Sequence, residues 1–210
     1  MITSQYTALA AEASAEIEVL RSRFLCTLTP VSSDDEARAV WAGTKEKFHD
    51  ARHHCLAFVI GPDRSLRRSS DDGEPGGTAG APMLDVLDGS GVSDVVAVVT
   101  RWFGGTLLGT GGLIRAYSDA VRAGVDVAKT VRRELMLEQR LTLPLVSAGA
   151  VEADLRRRGF TIIDTIWGAD VTLTVGSDSD TAPSLAGILA ALTAGSVVPE
   201  PSGTRWVTAS

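Results

Sequence analysis

Two spacings of apolar residues alternate along this chain, and they divide it into strands and helices. Residues 16–20 and 24–31 are β-rich runs interrupted by Arg21–Arg23, and each is too short for a helix. Ser33 followed three positions later by Glu36 matches a capping box. Ala37, Val40, Trp41, Thr44 and Phe48 then recur at helical spacing, which predicts a helix ending near Asp50. Residues 55–60 form an apolar strand, and Gly61, Pro62 and Asp63 form a turn. Residues 67–80 have loop chemistry, acidic and then glycine-rich. Residues 82–87 read as a short helix with Pro82 in its first turn, where a missing N–H does no harm. Residues 95–103 are the most apolar run of the chain and fit a central strand covered on both faces. A glycine-rich turn over 104–112 leads into a helix over 113–127, with Leu113, Tyr117, Ala120, Val121 and Val125 on one side. Residues 1–14, small and polar, read as an exposed terminal extension.

A second unit begins near Val131. Its pattern is a strand over 134–143, a helix over 146–158, strands over 160–167 and 170–175, a helix over 184–193 and a strand over 204–208. Gly168 makes the middle pair a hairpin candidate, because glycine tolerates the positive φ of a tight turn. The order βαββαβ is the ferredoxin-like, split-βαβ pattern. The expected fold class is therefore α+β, in two small domains spanning 15–130 and 131–210.

Composition narrows the function classes. At 210 residues the chain holds about 1.4 average domains. It is 44% apolar and 22% charged, as expected of a folded globular chain rather than a disordered one. No apolar run approaches the length of a membrane span and no signal pattern opens the sequence, so a cytoplasmic location without membrane contact is expected. The net charge is −6: residues 1–130 carry 17 acids against 13 bases, and residues 131–210 carry 9 against 7. A chain without basic excess gains little from counterion release, so generic nucleic-acid binding is not proposed by charge. Two cysteines, Cys26 and Cys55, are too few for a disulfide scaffold or a four-cysteine zinc site.

Three stretches carry polar and glycine residues where packing alone does not need them. They are Arg52-His53-His54-Cys55, the run Ser70-Asp71-Asp72-Gly73-Glu74-Pro75-Gly76-Gly77-Thr78-Ala79-Gly80, and Arg101-Trp102-Phe103-Gly104-Gly105 continuing through Leu108-Gly109-Thr110-Gly111-Gly112-Leu113-Ile114-Arg115-Ala116-Tyr117. Together they resemble, almost letter for letter, the signature of the IMPACT (YigZ-type) family, and the resemblance runs from about Arg23 to the C-terminus. It implies an N-terminal domain similar to the second domain of ribosomal protein S5. It also implies a ferredoxin-like C-terminal domain similar to the last domain of elongation factor G. Eukaryotic members of that family act on translational control, so the resemblance implies the ribosome, RNA or a translation factor as partner. Gly76 stands where the family usually has serine, and His54 where asparagine commonly sits, which counts against a serine-based mechanism.

The chemistry of these stretches is read from the residues themselves. Glycines after a strand and before a helix place unpaired N–H groups at a helix N-terminus, which attracts anions. They equally let a strand and a helix pack closely. Neither a Walker loop nor a complete dinucleotide fingerprint is present, and no lysine lies between Lys47 and Lys129, so a nucleotide triphosphatase is not expected. Asp71, Asp72 and Glu74 repel one another unless cations compensate them, and Arg101 and Arg115 are the natural partners. The expectation is one polar cleft in which two carboxylates pair with those arginines and one is left for a ligand, with Glu74 and Arg115 as near neighbours. Against it stand a turn role for Asp72-Gly73 and a helix cap at Thr78. The candidate ligand-binding set is His53, Asp71, Asp72, Glu74, Thr78, Arg101, Gly104, Gly105, Gly111, Gly112, Arg115 and Tyr117, with a small anion as ligand. A weaker nucleic-acid set is Arg67, Arg68, Arg156, Arg157 and Arg158, to which Trp102 and Tyr117 would add stacking surfaces. The three arginines at 156–158 also suit a helix C-terminus, which needs no ligand. His49, His53, His54 and Cys55 lack the second ligand pair of a structural zinc site, and no metal or cofactor is expected. Two functions remain: a non-enzymatic binding or regulatory protein linked to translation, and a small-molecule enzyme or ligand sensor using the carboxylate–arginine–glycine cleft.

Overall fold

A computed structural model describes residues 4–209. The chain divides into two compact units, Met1–Arg132 and Arg133–Ser210, and the fold is α+β with five helices among the described residues.

The first unit is built on a five-stranded antiparallel sheet in the order β2 (Ala13–Val19), β3 (Ser22–Pro30), β7 (Val95–Trp102), β4 (His53–Ile60), β5 (Leu66–Ser70). The central β7 reads as an unbroken apolar run because both of its faces are covered. Val95, Ala97 and Val99 enter one core with Cys26, Cys55, Met83 and Tyr117, whereas Val96 and Val98 enter another with Val31, Ala37 and Phe58. Helix α1 (Asp34–Lys47) covers the second core. Helices α2 (Gly80–Ser90) and α3 (Gly109–Val127) cover the first.

The capping box forms with one change. Ser33 Oγ accepts the Glu36 amide at 3.2 Å, but the Glu36 carboxylate returns to the Ser32 amide at 2.6 Å rather than to that of Ser33. The helix stops at Lys47, short of Asp50, where Phe48 leaves helical geometry (φ −117°, ψ 46°) and the buried His54 ring meets its carbonyl at 3.1 Å. Leu20 and Arg21, both at positive φ (47° and 66°), make the two-residue turn between β2 and β3.

Three expectations for this unit are corrected. Residues 4–14 are not an extension: β1 (Gln5–Leu9) pairs in parallel with β6 (Val92–Ser93), and Ala8 and Leu9 are buried because that pairing turns them into the core. Residues 67–70 are strand rather than loop, since β5 completes its ladder on β4. Finally, the glycine turn ends early, because Gly109 through Gly112 already belong to α3.

The second unit runs β8 (Thr130–Pro144), α4 (Leu145–Arg157), β9 (Thr161–Trp167), β10 (Asp170–Ser177), α5 (Ala182–Thr193), β11 (Glu200–Thr208). The strands lie in the order β11-β8-β10-β9 with every pairing antiparallel, the ferredoxin-like arrangement. Leu141, Leu143, Val171, Leu173 and Val175 meet Val151, Leu155, Leu185 and Leu189 in its core. Gly168 does sit in the β9–β10 turn, but not at a positive φ.

Candidate functional site

The acidic loop is fastened from three directions. Asp71 reaches across its own loop: Oδ2 accepts the Gly77 amide at 2.7 Å, and Oδ1 accepts those of Ala79 at 3.0 Å and Gly80 at 2.8 Å. It therefore caps α2, whose own N-cap residue supplies no side-chain bond. Burial alone would raise the Asp71 carboxyl, but the three amides outweigh it and hold the group below its ordinary 3.8. Thr78, the expected cap, instead turns its hydroxyl to the Pro75 carbonyl at 2.7 Å.

Asp72 takes the Lys45 ammonium at 2.6 Å and the His54 amide at 2.7 Å. It starts a turn at positive φ with Gly73, the turn role its sequence suggests. His53 Nδ1–H donates to the Asp72 carbonyl at 2.9 Å, since a carbonyl can only accept.

Glu74 is buried, and its Oε1 accepts from Arg101 Nη1 at 2.7 Å and from the Tyr117 hydroxyl at 2.7 Å. The Arg101 side chain is 8% exposed and that of Glu74 3%, so this is a buried ion pair. Among the described residues Glu74 Oε1 is the only acceptor Arg101 meets, and its Nε is buried without a partner. Its guanidinium carbon lies 5.4 Å from the Phe24 ring and 5.8 Å from that of Phe103.

The expected distribution of partners is thus overturned. Glu74 pairs with Arg101 and Tyr117, not with Arg115, which is exposed on α3 and makes no side-chain ion pair or hydrogen bond among the described residues. No carboxylate of the run is left free for a ligand: Asp71 is satisfied by backbone amides, Asp72 by Lys45 and the His54 amide, and one carboxylate, Glu74, takes an arginine where two were expected to. Tyr117, fully buried edge-on against Phe24 at 5.2 Å, is out of reach of a ligand and positions Glu74 instead.

The acidic and glycine loops nevertheless meet in one cleft of about 470 Å³. Gly73, Glu74 and Pro75 form one side, Arg101 and Phe103 another, and residues 107–110 with Leu113 a third, with Arg52 and His53 completing the lining. Three of the predicted residues, His53, Glu74 and Arg101, line it. Gly104 and Gly105 serve the backbone. A Cβ on Gly104 would lie 2.0 Å from the Arg21 carbonyl carbon, and Gly105 has a φ of +88°. Gly111 and Gly112 lie inside α3.

Most of the lining residues that the candidate set lacks are apolar, with Phe103, Leu107, Leu108, Leu113 and Pro75 making much of the cleft wall; Arg52, Gly73, Gly109 and Thr110 are the others. Leu107 and Leu108, side by side in a glycine-rich stretch, were the available signal, because a turn needs neither. The first amides of α3 have no intrahelical acceptor, no side chain caps them, and Gly109 and Thr110 of that turn line the cleft.

The basic runs are compensated. Arg67 meets Asp88 and Arg68 meets Asp34, while Arg156 meets Glu152 and Arg157 and Arg158 share Asp154. Trp102 is half-buried and donates to Asp50 at 2.8 Å, with Arg23 over its ring. Burial pushes the Cys26 thiol up to about 12. Burial likewise raises the Cys55 thiol and, aided by Cys55 and Glu74, the Tyr117 phenol. Among the described residues no group of three or more His, Cys, Asp or Glu side chains is arranged to hold a metal ion. Among the described residues no helix is long and apolar enough to cross a membrane.

Comparison with known proteins places these features in a family context. A family model described as the Impact N-terminal domain matches residues 20–125. The chain is 40% identical over 156 residues to the IMPACT family member YvyE of Bacillus subtilis (strain 168), covering 74% of this chain and 72% of that one. It is 41% identical over 160 residues to the IMPACT family member YigZ of Escherichia coli (strain K12), covering 75% and 78%. A crystal structure of a hypothetical protein matches with a TM-score of 0.71 at 34% identity, over 96% of this chain and 98% of that one.

Proposed function

The chain belongs to the IMPACT family, and on that premise we propose that it is a non-enzymatic binding and regulatory protein linked to translation. Its partner is the ribosome, an RNA or a translation factor, as the family resemblance implies. The observation that favours binding over turnover is the state of the groups around the cleft. All three carboxylates of the acidic run are engaged. The buried thiol and phenol beneath it are held protonated, so neither is an activated nucleophile, and the imidazole in the lining, His53, is tied through Nδ1–H to the Asp72 carbonyl rather than to a nucleophilic side chain. Among the partners, a protein surface is favoured over bare RNA, because each arginine of the basic runs already faces a carboxylate.

The test is sedimentation of the intact chain with purified ribosomes and capture by purified translation factors, each at low and high salt. Association that survives added salt supports a protein contact. Association that collapses steeply with salt would move RNA ahead. No association with any of these sinks the translation link.

A second reading, a ligand sensor built on the same cleft, is favoured by Arg101. A buried guanidinium with unspent donors is costly unless something fills the cleft.

A further inference from the structure

The cleft has a charge and a shape that together specify a ligand class, an inference that rests on the ligand-sensor reading. Arg52 and Arg101 bring two positive charges to its lining and Glu74 one negative, leaving a single positive charge in a chain whose total is −6. The uncapped first turn of α3 adds a partial positive charge, about half of one, at the same place. Glu74 consumes only one donor of Arg101, and the buried Nε has none of its own partners. One anionic group would satisfy this arrangement. A dianion or polyphosphate would carry charge that nothing else in the lining meets, since no lysine is present there.

The rest of the lining is apolar and open. Leu107 is 85% exposed and Phe103 55%, beside the partly covered Leu108 and the buried Leu113. Apolar side chains held out to solvent beside a charged recess mark a surface meant to be covered. A volume of about 470 Å³ lies within the range of small-molecule sites.

We propose that the cleft binds a small monocarboxylate with an apolar body, its carboxylate against Arg101 and the first turn of α3 and its body against Phe103, Leu107 and Leu108. Glu74 and Tyr117 are positioning residues here, holding the guanidinium in place from the core side.

The experiment is a two-dimensional amide NMR titration of the intact chain with hexanoate, its neutral analogue hexanamide, and hexyl phosphate. Hexanoate should bind with a dissociation constant on the order of 1 mM, given its size. The shifts should centre on Gly109, Thr110 and the Arg101 side chain. Hexanamide should bind at least about tenfold more weakly. Leu107→Glu, at a solvent-exposed position, should weaken hexanoate by a similar factor while leaving the rest of the spectrum in place. Equal binding of hexanoate and hexanamide, shifts confined elsewhere, or no shift overturns the proposal. Tighter binding of hexyl phosphate overturns the carboxylate assignment. Ribosome sedimentation reads neither probe, so a failure here leaves the translation link standing and the converse also holds.

Discussion

The acidic run 71–74 and the basic run 156–158 are both clusters of like charge, yet they are neutralised in opposite ways. Arg156, Arg157 and Arg158 find their carboxylates on the same helix, Glu152 four residues back and Asp154 three and four back. These are solvent-exposed pairs, in which water and salt screen most of the attraction. Asp71, Asp72 and Glu74 instead send their bonds to the α2 N-terminus, to Lys45 on α1 with the start of β4, and to Arg101 with Tyr117. The first cluster decorates a helix. The second ties five elements together (α1, β4, α2, β7 and α3) and thereby sets the cleft.

The sharpest way to break this contrast is to remove one member of the buried pair. Glu74→Ala or Arg101→Ala should cost about 3–5 kcal/mol, because the remaining charge stays buried. Hydrogen exchange should register the loss in the first unit and not in the second. Arg156→Ala, by comparison, should cost under about 0.5 kcal/mol and lose even that in salt. A large cost there would erase the distinction.

Gly104→Ala comes next. Its Cβ has only the rigid backbone of Arg21 and Ser22 to displace, and overpacking of this kind costs about 1–3 kcal/mol in urea unfolding. Asp71→Asn should cost about 1 kcal/mol, because its Oδ1 can keep the Ala79 and Gly80 amides but its amide nitrogen cannot accept from Gly77, and it also carries a pH signature. The folded carboxyl sits below its unfolded value of 3.8. Its contribution is therefore present above that pH and is lost as pH falls through the lower folded value. Acid unfolding of the native chain should show this loss, and the Asn variant should lack it. Smallest of all, Leu107→Glu should leave stability within about 0.5 kcal/mol, because Leu107 is exposed and packs on nothing essential.

The same contrast explains what could be read in the sequence. Local rules found what local partners make: the Ser33 cap, the α1 apolar spacing, the doubly covered β7 and the βαββαβ order of the second unit. Long-range choices were not legible. Whether Glu74 takes Arg101 or Arg115 depends on how a strand end and a helix turn face one loop, and no spacing rule encodes that. β1 escaped because five residues paired to a two-residue strand carry too little periodicity. The early start of α3 escaped because four positions holding three glycines oppose helix by propensity, and tertiary packing overrode them. The cleft's apolar wall is visible in the sequence as Leu107 and Leu108 in a turn, a signal that charge patterning does not carry.

Asp71 binds the amides of Gly77, Ala79 and Gly80 from the far end of its own loop, so the segment between is a closed noose. Gly76 sits at the bight of that noose, exposed and with no atom within 4 Å of where a side chain would begin. Whatever is attached there hangs in solvent one residue from the cleft lining, while the knot keeps its neighbours in register. A Gly76→Cys substitution carrying a fluorophore would thus make position 76 a reporter of occupancy that listens without taking part.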